Sequence, residues 1–318
     1  MASAMYFSKH IGKKIDDTID CVCNPNLLDN WYFANPVNQR GATIYNETGY
    51  TFDRWRLGNA RVSVAQEDGR IRITRILEGN YASLRQVCAE NLPAGTYTVS
   101  ALVDSIENTT ASLAVYKSNS TTSVSSSFAS GATTTPDMVS FTFDYTPDST
   151  KPYFVFTIGF PASTEIDGTF TVRAVKMELG SQQTLAHQDA SGNWVLNEIP
   201  DYGEQLEKCK RYFERVKATS NNMTLCMGSG TATDLYVPIQ VAPKRANPAA
   251  FVGTQITEGV RVGTNLLNIA PEANNVTFYS RDNVTGRYTL LIKGSWTAGT
   301  TYRMGLVAGT YLDFNADL

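Results

Sequence analysis

The sequence predicts an all-β protein built as two successive sandwich domains with short helices before and between them. Three observations predict it. Charged residues are 18% of the chain, below the usual share of about a quarter. Ser, Thr, Asn and Gly are plentiful, as many turns require. Segments of alternating apolar and polar residues, bounded by Gly, Pro, Asn and Asp, recur along most of the length. At 318 residues the chain favours two domains and has length for sizeable cores.

The first element, within residues 1–25, is a short helix. Ser8 can cap it, Ile11, Ile15, Ile19 and Val22 form one narrow apolar stripe, and Asn24-Pro25 ends it. A helix this short is marginal alone, and its β-branched stripe stays dry best against copies of itself, so it reads as an oligomerisation or attachment helix. A helix docked on its own domain is the alternative.

Residues 26–180 read as the first sandwich. The opening stretch "NLLDNWYFANPVNQRG" holds three consecutive aromatic residues. In a strand they cannot share a face, so Trp31 and Phe33 point to the core with Trp55 as neighbour, while Tyr32 takes the other side. Asn35-Pro36 ends that strand and Arg40-Gly41 lies in a turn. Alternation then marks strands in "RIRITRI" (70–76), "TYTVSALV" (96–103), "SLAVYK" (112–117), "VSFTFDY" (139–145), "YFVFTIGF" (153–160) and "FTVRAVKMEL" (170–179). "LPAG" at 92–95 is a turn leading into one of them. The Ser/Thr-rich segment from Ser118 to Thr135 reads as a long exposed loop.

Residues 181–201 are a connector in which Ser191-Gly192 can turn one short strand onto another. The period then changes: Tyr202, Leu206, Cys209, Phe213 and Val216 are spaced as the stripe of an amphipathic helix over 202–216, opposite a charged, solvated face. Alternation resumes in "LYVPIQV", "FVGTQI", "NVTFYS", "RYTLLIKG", "TYRMGLVAG" and "YLDF", so 202–318 reads as that helix plus a second, smaller β-sandwich.

Several function classes fall away. A formal charge of −3 gives no basic field for nucleic acid. No apolar run approaches a membrane span, and the N-terminus has no signal-peptide core, so the expectation is cytoplasmic synthesis without membrane insertion. The five cysteines are scattered and read as free thiols, and the two histidines, His10 and His187, are too few for a triad or a metal centre. No metal, cofactor or catalytic set is expected. Asp53, Glu78, Asp104 and Glu165 are available carboxylates, but no spacing pairs them as a glycosidase requires. A polysaccharide depolymerase is therefore the alternative to a non-enzymatic protein.

A binding module needs less: aromatic faces for sugar rings and Arg, Asn, Asp or Gln for hydroxyls. Tyr81, Tyr116 and Trp296 are candidates for stacking, with packing as the competing role for each. Between Asp53 and Arg85 there are seven arginines against four acids, which nominates Arg72 and Arg85 for ligand contact. Alternation sets Arg70 and Arg72 opposite Ile71 and Ile73, giving either a cationic face for acidic glycans or a solvated surface with internal ion pairs.

Three stretches carry a family resemblance. "NPNLLDNWYFANPVNQRG" with "YTFDRWRL" resembles the start of the carbohydrate-binding-module-like jelly roll of tail-fibre and receptor-binding proteins in phages and prophages of gut bacteria. "VKMELGSQQT" through "YGEQLEKCKRYFERV" is similar to the junction after that sandwich, and "LYVPIQVAPKRANPAAFVG" to their C-terminal β domain, although the family more often has Met-Arg where Pro243-Lys244-Arg245 stands here. The resemblance implies a homotrimeric virion protein, joined to other virion proteins through its N-terminus, that recognises host cell-surface carbohydrate. A head fibre or decoration protein with a purely architectural role is its variant. No catalytic residue is implied.

Overall fold

The computed structural model describes residues 24–79, 82–88, 92–122, 124, 127–161, 166–220, 223–251, 255–263, 271 and 275–317. The predicted N-terminal helix with Ile11, Ile15, Ile19 and Val22, and the candidate Tyr81, lie outside the described residues. The chain divides into two units, Met1–Gln205 and Leu206–Leu318.

The first unit is a sandwich of two six-stranded antiparallel sheets. One sheet runs β1 (Ile44–Tyr45), β4 (Val62–Glu67), β5 (Arg70–Arg75), β12 (Thr169–Leu179), β7 (Gly95–Glu107) and β10 (Asp137–Tyr145). The other runs β2 (Gly49–Tyr50), β3 (Arg56–Leu57), β6 (Ser83–Cys88), β11 (Tyr153–Gly159), β8 (Ala111–Ser118) and β9 (Ser127–Thr133). The chain passes repeatedly from one sheet to the other, which is jelly-roll connectivity. Alternation decides what goes between the sheets: Val64, Ile71, Ile73, Leu84, Val99, Leu113, Phe156 and Phe170 are all fully buried in one core.

The aromatic triplet follows its alternation in part. Trp31 and Phe33 are buried and Phe33 meets Trp55 edge-on at 5.0 Å, but Tyr32, partly buried, packs against the same core with its ring 6.1 Å from that of Trp31, because the segment is bent rather than extended. The segment is not a regular strand, however. It follows β12 through separate bonds, Leu27 N–H to Met177 O, Phe33 N–H to Arg173 O and Val175 N–H to Trp31 O. The Asn26 amide completes the run by donating to Val175 O and accepting from Met177 N–H, so a side chain replaces backbone pairing.

The Ser/Thr-rich stretch departs from its expected reading as one long loop. Its second half is β9, an edge strand paired with β8. Low hydrophobicity hid it from pattern reading, yet a backbone needs only a neighbour with free N–H and C=O groups to form a ladder. In the connector, Ala186–Gln188 (β13) and Trp194–Leu196 (β14) form the expected hairpin, turning at Gly192 with φ of 82°.

Helix α1, Tyr202–Lys210, is capped by Asp201, whose carboxylate accepts the Glu204 N–H at 3.0 Å. It stops six residues short of the predicted Val216, because Phe213–Lys217 (β15) instead pairs antiparallel with Tyr311–Asn315 (β22). Directly opposed across that ladder, Arg215 forks onto Asp313 with two bonds of 2.8 Å. The other layer of the second unit is a six-stranded antiparallel sheet in the order β18 (Val260–Gly263), β21 (Thr301–Leu306), β16 (Met223–Gly230), β17 (Asp234–Gln240), β20 (Arg287–Lys293) and β19 (Val276–Asp282). Leu312 and Phe314 of β22 close its core over Leu235, Val237, Leu290, Ile292 and Met304, giving a lopsided two-layer sandwich. The strand predicted in "FVGTQI" falls largely on residues 252–254, outside the described residues, and Gln255–Gly259 is a single π-helical turn before β18. Gln255 is held by its side-chain amide to Asp313, and only from Val260 does the chain reach the edge of β21.

Candidate functional site

Strand β6 sends Leu84 and Cys88 into the core and therefore Ser83, Arg85 and Val87 to the outer face of the second sheet. Register extends that face across all six strands. Tyr50 stands opposite Arg56, Arg56 opposite Arg85, Arg85 opposite Thr157, Thr157 opposite Ala114, and Ala114 opposite Ser130. One row thus carries an aromatic ring at its edge, two guanidinium groups beside it and small or hydroxylated residues beyond.

A cleft of about 160 Å³ opens next to Arg85, lined by Ser83, Ser112, Ala114, Tyr116, Ser127, Ser130, Thr157, Gly159, Phe160 and Pro161. That is small beside the roughly 300–1,000 Å³ of drug-sized pockets. It has room for one ring-sized group, and a longer ligand would lie along the open row. Gly159 lets β11 sit close to β6, since a Cβ there would collide with the Ala82 carbonyl and Ser83. Its lining includes four serines, one threonine and one tyrosine ring.

The arginine-rich segment resolves residue by residue. Arg54 bonds Asp29 at 2.9 Å, Arg70 faces Asp104 at 3.7 Å, and Arg72 pairs with Glu67 at 2.8 Å. Arg75 donates to the carbonyls of Pro161 and Gly79, and Arg61 is likewise engaged. Arg56 and Arg85 have no carboxylate partner among the described residues, and the Nε of each is buried without a hydrogen bond. Arg85 is only 7% exposed. Its sole hydrogen bond among the described residues runs from Nη1 to Thr122 O at 3.3 Å. Its guanidinium occupies the space that a Cβ on Gly58 would fill.

Burial lowers the Arg85 pKa from its ordinary value; the neighbouring Tyr116 opposes this and Arg56 adds to it. Arg56 also sits over the Tyr50 ring at 5.7 Å, and Arg40 over the same ring at 5.1 Å. Arg40 differs from Arg56 because Asp53 accepts from it at 2.9 Å.

Of the residues nominated from sequence, Arg85 and Tyr116 come together on this face. Arg72 lies on the other sheet, exposed and paired with Glu67. Trp296 belongs to the second unit, where its indole N–H donates to Ile292 O at 3.0 Å and its ring meets Tyr302 at 5.0 Å. Arg56, Gly58 and Thr157 were not singled out. Arg56 and Gly58 sit in "DRWRLGN", which shows an arginine near a glycine, but only strand order puts them beside β6. No group of three or more potential metal ligands occurs among the described residues.

No known family matches the chain, and no curated protein matches it in sequence. Solved structures similar to it include a protein from Bacteroides thetaiotaomicron provisionally described as sugar binding, at 14% identity and a TM-score of 0.32, covering 49% of this chain and 100% of the other. A CBM4 protein is similar at 19% identity and a TM-score of 0.31, covering 48% of this chain and 99% of its own. The enzymatically active domain of a tailspike protein of bacteriophage CBA120 is similar at 11% identity and a TM-score of 0.32, covering 49% of this chain and 21% of that one.

Proposed function

We propose that the chain is a non-enzymatic carbohydrate-binding protein whose first unit takes the glycan on the outer face of its second sheet. The observation that carries this reading is the cleft near Arg85, whose lining combines the hydroxyl residues Ser83, Ser112, Ser130 and Thr157 with the Tyr116 ring. Sugars need that pairing of directional polar groups with an aromatic face. None of the cleft's lining residues carries a carboxylate, and glycoside hydrolysis needs two flanking the scissile bond, which supports binding over depolymerisation.

The sequence resemblance to tail-fibre and receptor-binding proteins supports a setting for this activity. In it the chain is a homotrimeric fibre or spike on a phage particle, attached through its N-terminus and presenting the cleft to host surface glycans. Three copies raise the avidity of a weak site without new contacts. A glycan array with the full chain tests the binding, and light scattering tests the trimer. Retained host-glycan spots and a mass three times that of the chain are expected. An array without signal would leave an architectural role, and a monomeric mass would remove the trimer.

A further inference from the structure

We propose that this face selects anionic glycans, with Arg56 and Arg85 together gripping a carboxylate or sulfate on the sugar; the proposal rests on the carbohydrate-binding reading above. Two cations directly opposite on neighbouring strands destabilise a sheet when nothing lies between them. Elsewhere in the same segment Arg54, Arg70 and Arg72 meet Asp29, Asp104 and Glu67, and Arg75 donates to two carbonyls. Arg56 and Arg85 have no acid among the described residues and stand directly opposite each other.

Both Nε groups are buried donors without acceptors, and an unmade bond to a buried charged donor is expensive. A planar guanidinium offers parallel N–H groups that match two oxygens of one carboxylate or sulfate. An anion placed between Arg56 and Arg85 would satisfy donors on both and remove their repulsion. The sugar ring bearing it then falls over Thr157 and toward the Tyr116 side of the cleft, since Thr157 is the next residue in the row. Gly58 leaves the Arg85 guanidinium its place beside β3.

The test is calorimetric titration of the full chain with matched polysaccharide pairs. These are polygalacturonate with its carboxyl-reduced form, polysialate with its carboxyl-reduced form, and dextran sulfate with dextran. The expected result is at least about tenfold tighter binding of one or more acidic members, lost as salt rises from low to high ionic strength. Which pair responds separates carboxylate from sulfate.

Arg56→Gln and Arg85→Gln should each reduce the acidic preference about tenfold while binding of the neutral partner persists. Gly58→Ala should do the same by displacing the Arg85 guanidinium with every charge retained. Because Arg85 is buried, Arg56→Gln and Gly58→Ala keep the test decisive if Arg85→Gln fails to fold. Equal affinity for acidic and neutral members would overturn the anion proposal and leave carbohydrate binding standing. So would a preference unchanged in folded Arg56→Gln and Gly58→Ala. Absence of binding to every member of this panel and of the glycan array would overturn both.

Discussion

Lys176 and Glu178 lie 3.4 Å apart with neither side chain reaching solvent. They project from the outer side of β12, where the connector covers them, and Thr184 joins the pair. Its hydroxyl accepts from Lys176 Nζ at 2.7 Å, its N–H donates to Glu178 Oε1 at 2.7 Å, and it also bonds Glu178 Oε2. A dry ion pair is held by completeness rather than by net attraction. Lys176→Met alone should therefore destabilise the first unit by about 3–5 kcal/mol, and adding Glu178→Leu should recover most of that loss. Urea unfolding of the two variants checks it; equal losses in single and double variants would contradict it.

Tyr116 contributes its ring to the lining of the cleft. Tyr116→Ala should weaken glycan binding roughly threefold to tenfold, the scale of one ring contact, with little change in melting temperature because the side chain lies outside the core. Calorimetry with an array-identified glycan, paired with a thermal melt, separates lost contact from lost fold.

Burial pushes the Cys88 thiol from 9.0 up to about 12. An unfolded chain ionises this group first, so the stability it contributes is complete below about pH 9 and falls away as pH rises toward 12. The urea midpoint should decline across pH 9–11, and less steeply in Cys88→Ala than in the parent. At pH 8 the native thiol should resist iodoacetamide and react once the chain is unfolded.

In the second unit Arg215 lies 3.6 Å over the centre of the Tyr311 ring while forking onto Asp313. A lysine has one ammonium and cannot lie flat on the ring while reaching two oxygens. Arg215→Lys should destabilise that unit by about 1–2 kcal/mol, read as a shift of its denaturant midpoint, with binding at the first unit's cleft unaffected.

Some features were fixed by local chemistry and so were readable in the chain. Alternation placed Trp31, Phe33 and Trp55 in the core and set out six strands of the first unit, because a strand's period of two is a property of its own backbone. The helix at Tyr202 was also readable, but its end was not: whether Phe213 to Val216 coil or extend depends on β22, about a hundred residues onward. The same holds for β9, whose serines form a strand because β8 is beside them. At the site, sequence could count seven arginines but not sort them. Which meets an acid and which meets another arginine depends on strand order, since β3 lies against β6 while β5 lies between β4 and β12. Local pattern decides which way a side chain points; only the closed sandwich decides what it faces.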